Sequence, residues 1–81
     1  MITQKQEILP FVTVGPSSVF TLSLEPLDPT AVMMFVNGIK IPYGEYVVGG
    51  SNNQTVTYTP SGFPIPPLLP TDTCEFWFIV L

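Results

Sequence analysis

Residues 31–46, AVMMFVNGIKIPYGEY, decide the fold. Six apolar residues run into Asn37-Gly38, and both of these tolerate the positive φ of a two-residue type I′ turn. That turn twists in the same sense as the strands it joins. The stretch therefore reads as strand, tight turn, strand, with Phe35 near Lys40 or Ile41. Pro42 ends the second strand because it has no N–H to give a ladder. The turn sets register as well as direction. Residues 31–36 are apolar on both faces, so that strand is either covered on each side or turns its outer face to another chain.

Toward the N-terminus, residues 25–30 (EPLDPT) form a stiff connection, since each pre-proline residue is pushed out of the α region. Before it, Phe20, Leu22 and Leu24 alternate with Val19, Thr21 and Ser23, the period of a half-buried strand, which makes Phe20 and Leu22 core residues. Gly15-Pro16-Ser17-Ser18 is a turn. Residues 8–14 are an edge strand broken by Pro10, and the polar residues 2–7 are expected to be loose.

Toward the C-terminus, residues 44–48 open another strand, and Gly49-Gly50-Ser51-Asn52-Asn53 is a loop. Val56 and Tyr58 then alternate with Thr55, Thr57 and Thr59, which predicts a solvent-facing threonine row. Residues 60–70 carry five prolines in eleven positions and should run as an extended strap. Residues 74–81, CEFWFIVL, are a strand that is again apolar on both faces. No window has a helical period, and turn signals recur about every ten residues. The expectation is a single all-β domain over residues 1–81: a small antiparallel β-sandwich or barrel of about six to eight strands with little or no helix.

Composition bounds the surface. Hydrophobic residues make up 46% of the 81 and charged residues 10%, against about 25% charged in an ordinary soluble domain. Such a chain exposes apolar patches or buries them against copies of itself or a host surface. The candidate interface takes Met33 and Phe35 from the first apolar strand, Phe63, Ile65, Leu68 and Leu69 from the strap, and Trp77, Ile79 and Leu81 from the last strand. Lys5 and Lys40 are the only cations in a chain of net charge −4, which excludes a phosphate backbone as partner. The longest apolar runs are six residues, against roughly 20 for a helical span, so no membrane crossing is expected. The first nine residues lack a secretory signal pattern, which predicts cytoplasmic synthesis.

The residues also argue against catalysis. Histidine is absent, which removes Ser-His and Cys-His pairs and imidazole metal sites. Cys74 is the only cysteine, and the acidic Asp72 and Glu75 beside it raise a thiol pKa, so a buried structural thiol is expected. Glu25 and Asp28 are too few for calcium and read as a solvated turn. No cofactor, metal or enzymatic activity is expected. Pro64, Pro67 and Pro70 have PxxP spacing but no flanking base, which favours a packed strap over an SH3-type ligand. Tyr43, Tyr46, Tyr58 and Trp77 are candidates for a sugar-stacking platform, weighed against the commoner role of such residues in cores and interfaces.

Residues 35–59, FVNGIKIPYGEYVVGGSNNQTVTYT, resemble the small β modules of tailed-phage virion proteins, in which a strand, an NG turn, a Gly-Tyr strand and a Thr-rich strand recur. The resemblance implies a cofactor-free structural protein, often trimeric, that clamps or extends a larger assembly. The reading it supports is a bacteriophage capsid decoration or cement protein. Such a protein self-associates as a homotrimer and binds viral capsid or tail proteins, and it resides in the virion after synthesis in the host cytoplasm. The alternative is a tail-fibre or receptor-binding module that recognises carbohydrate.

Overall fold

A computed structural model describes residues 2–15, 17–59 and 68–81. Its eight strands are β1 (Thr3–Ile8), β2 (Val12–Val14), β3 (Ser17–Thr21), β4 (Met33–Val36), β5 (Ile39–Lys40), β6 (Tyr46–Gly49), β7 (Thr55–Tyr58) and β8 (Cys74–Val80). They form two antiparallel four-stranded sheets, in the orders β1-β8-β4-β5 and β2-β3-β7-β6, and among the described residues the helical content is three short 3-10 turns. The fold is the small all-β sandwich expected.

The Asn37-Gly38 turn is as the residues require. Asn37 has φ 52° and Gly38 φ 84°, and Phe35 pairs with Lys40. The flanking strands are shorter than the apolar run suggested. Pro29–Ala31 is a 3-10 turn whose first N–H groups need a cap, and Asp28 supplies it by accepting from Thr30 N (3.0 Å) and Thr30 Oγ1 (2.6 Å). The Asp28 carboxylate is thus committed to a turn, and those two bonds hold its pKa below the usual value.

Both sheets turn alternate residues into one core. β8 gives Cys74, Phe76, Phe78 and Val80, and β4 gives Met34 and Val36. The facing sheet gives Phe20, Val56, Tyr58 and Tyr46, and the connections add Leu22, Val32 and Ile41. Phe20 joins the sheets, with its ring 4.8 Å from Phe76 and 5.5 Å from Phe11. Tyr46 closes the other side by donating its hydroxyl to the buried Val32 carbonyl at 2.6 Å. The chain exposes 4908 Å², against about 4,800 Å² for a compact monomer of 8.9 kDa. Its shortage of charge therefore does not stop it from forming a core of ordinary compactness by itself.

Two expectations need correction. Residues 2–7 are not loose: Thr3–Ile8 pairs along its whole length with β8, from Thr3 opposite Val80 to Ile8 opposite Glu75. The strand is polar because it lies at a sheet edge, where an inward-pointing charge discourages pairing with a foreign strand. Lys5 and Glu7 point toward the core side, opposite Phe78 and Phe76, and Glu7 accepts from Ser23 Oγ at 2.8 Å. Leu24 does not share the core face of Phe20 and Leu22. β3 stops at Thr21, and Leu22 is held by its N–H on the Gln54 carbonyl (2.7 Å), so the alternation ends and Leu24 is exposed.

Candidate functional site

The two strands that are apolar on both faces are neighbours. β4 pairs with β8, Met33 opposite Trp77 and Phe35 opposite Glu75, so the odd-numbered residues of both strands share the outer face of their sheet. The same parity brings Gln4, Gln6 and Ile8 from β1 and Lys40 from β5 onto that face. Met33, Phe35, Trp77 and Ile79, four of the candidate interface residues, thus form one half-buried apolar stripe in the middle of the sheet. Ile8 and Lys40 lie at its margins.

Trp77 lies within this stripe. Its ring is 5.0 Å from that of Phe35, tilted by 44°. Its Nε1–H is buried and has no hydrogen-bond acceptor among the described residues. A buried indole N–H normally finds a partner, and leaving one unpaired costs about 1–3 kcal/mol. Among the described residues the fold therefore carries a buried donor that it does not satisfy.

The remaining candidates divide. Leu81 continues the odd parity of β8 and is the most exposed large apolar side chain of the described residues, at 83%. Leu68 instead packs against the core, and Leu69 is exposed beside a turn held by Asp72. Phe63 and Ile65 fall in the strap, most of which lies outside the described residues together with Pro64 and Pro67 of the PxxP spacing.

The tyrosines do not gather into a platform. Tyr46 and Tyr58 are core residues, only Tyr43 is exposed among the three, and Trp77 lies on the outer face of the opposite sheet. Strand parity decides this, because Tyr46 pairs with Tyr58 on the inner face of its sheet. Burial pushes both phenols above their usual pKa, and for Tyr58 the charges of Glu45, Cys74 and Asp72 add to it. Burial, and after it the charge of Asp72, raises the Cys74 thiol to about 11, which leaves it protonated and unreactive at neutral pH. Among the described residues no three His, Cys, Asp or Glu side chains converge as a metal site, and no helix is long and apolar enough to cross a membrane.

Two open grooves also lie on the described surface. One, of about 300 Å³, is lined by Leu24, Glu25, Pro26, Leu27, Val80 and Leu81; the other, of about 320 Å³, by Leu9, Pro10, Phe11, Thr13, Pro70 and Asp72. Neither brings a nucleophile to a base. The chain matches no family model, no curated protein and no solved structure.

The unpaired indole N–H had no signal in the sequence. Nor did the pairing of β4 with β8, because being apolar on both faces tells that a strand is covered and not which strand lies beside it.

Proposed function

We propose that this chain is a non-enzymatic assembly protein that docks the outer face of the β1-β8-β4-β5 sheet on another protein subunit. The observation that carries the reading is the half-buried apolar stripe of Met33, Phe35, Trp77 and Ile79. A partner that covers the stripe removes apolar area from water, a gain the isolated chain lacks. Together with the resemblance of residues 35–59 to tailed-phage virion modules, this favours a capsid decoration or cement protein that self-associates, with a trimer as the leading stoichiometry. The carbohydrate-binding alternative is weakened by the burial of Tyr46 and Tyr58.

The test is the solution mass of the purified chain by size exclusion with light scattering over a wide concentration range, alongside F35E. Phe35 is outside the core, so the variant keeps its far-ultraviolet dichroism while placing a charge in the stripe. A stable oligomer that F35E converts to monomer supports self-association through this face. A wild-type chain that stays monomeric at every concentration, and shows no F35E-sensitive binding to capsid or tail subunits, overturns the proposal.

A further inference from the structure

Asn37 does more than turn the chain. Its N–H donates to the Thr73 carbonyl (2.8 Å), its Oδ1 accepts from Thr73 N (2.9 Å), and its Nδ2 donates to Asp72 Oδ1 (3.0 Å). Asp72 Oδ2 in turn accepts from Leu69 N at 2.8 Å. These bonds clip the β4–β5 turn to the residues that lead into β8, and both ends of the Asn37 carboxamide are used.

The same residue is followed by glycine, and Asn37-Gly38 is the only Asn-Gly pair in the chain. Glycine has no side chain to shield its backbone nitrogen. Both residues are exposed, and nothing lies within 4 Å of where a Gly38 Cβ would stand. We propose that Asn37 is a fold-gated deamidation site, preserved while the clip to Asp72 and Thr73 is closed and converted when it opens.

The Gly38 nitrogen loses its proton to water and bonds to Asn37 Cγ. The Cγ–Nδ2 bond breaks, and Nδ2 takes up a proton and leaves as ammonia. Water then opens the five-membered imide at either carbonyl, giving aspartate or isoaspartate, so one water is consumed, one ammonia is released and no electrons are exchanged. The attack needs the carboxamide turned back over its own backbone, and the bonds to Thr73 and Asp72 oppose that rotation. Conversion is also one-way for the clip. The donor toward Asp72 becomes a carboxylate, and two carboxylates then face each other where a hydrogen bond stood.

The experiment is peptide mapping by mass spectrometry of the full chain held at mildly alkaline pH and body temperature. It follows the exchange of NH₂ for OH at Asn37, with Asn52 and Asn53 as internal controls. Wild type is compared in buffer and in denaturing urea, and D72A in buffer. Urea is expected to speed conversion at Asn37 by at least on the order of tenfold, the factor supplied by two hydrogen bonds of ordinary net strength. D72A, with its fold verified by circular dichroism, is expected to speed it several-fold. Equal wild-type rates in buffer and urea overturn the gating, and conversion in urea no faster at Asn37 than at Asn52 and Asn53 overturns the site. If D72A does not fold, the urea comparison alone decides.

Discussion

Replacing Trp77 by phenylalanine should stabilise the isolated chain and weaken its assembly. The substitution deletes the buried Nε1–H that has no acceptor among the described residues, which relieves about 1–3 kcal/mol. It also shortens the ring by roughly 40 Å² of apolar surface, a loss of at most about 1 kcal/mol at 25 cal/mol/Å², and less here because Trp77 is not fully buried. The aromatic contact with Phe35 is kept. The net expectation is a gain of about 0.5–2 kcal/mol, and each kcal/mol raises the melting temperature of a domain this size by roughly 4–8 °C. Thermal unfolding followed by circular dichroism measures it, since Trp77 is the only tryptophan and W77F leaves no indole fluorescence. In the oligomer or complex, where the stripe is covered, the smaller ring leaves less apolar area to bury, and W77F should weaken association by up to about fivefold, equivalent to ~1 kcal/mol. A lower melting temperature for W77F overturns the orphan-donor assignment. Unchanged association overturns the placing of Trp77 in the docking face.

Tyr46→Phe removes the hydroxyl that donates to the buried Val32 carbonyl and should destabilise by about 1–3 kcal/mol, read from chemical denaturation. Phe20→Ala opens a cavity between Phe11 and Phe76 and should cost about 3–5 kcal/mol, most of the stability of a chain this short, so circular dichroism should show it largely unfolded. Stability should also fall in alkali. Cys74, Tyr46 and Tyr58 all have folded-state pKa values above their unfolded ones, so their contribution is whole below the unfolded values and lost as pH rises through the folded ones. For Cys74 that window runs from 9.0 to about 11, and Cys74→Ala should flatten this part of a melting-temperature profile against pH. N37D sets a second carboxylate against Asp72 and should lower the melting temperature at neutral pH, with the loss shrinking in acid as the carboxylates protonate.

Much of the sandwich was legible because its signals are local. Asn37-Gly38 needs no tertiary contact to favour positive φ at both positions, and Val56 and Tyr58 alternate with threonines whichever strand lies beside them. The mistaken readings have a common origin in edges and ends. A polar run such as residues 3–7 has no hydrophobic period to reveal it, and only the hydrogen-bonding side of β8 makes it a strand. Leu24 continues a perfect alternation on paper, but the ladder has already ended at Thr21.

The candidate site divides along the same line. From the sequence alone came the all-β class, the hairpin and its register, the strands apolar on both faces, and a lone cysteine with no histidine to activate it. These follow from residue chemistry and from periods of two that any strand must obey. The pairing of β4 with β8, the gathering of Met33, Phe35, Trp77 and Ile79 on one outer face, the inward turn of Tyr46 and Tyr58, and the bonds from Asn37 to Asp72 and Thr73 belong to the tertiary structure. Each joins residues at least 12 positions apart along the chain, except the neighbours within one strand. Such partnerships depend on which strands become neighbours and which faces the closing of two sheets turns inward, and nothing local in the sequence encodes either choice.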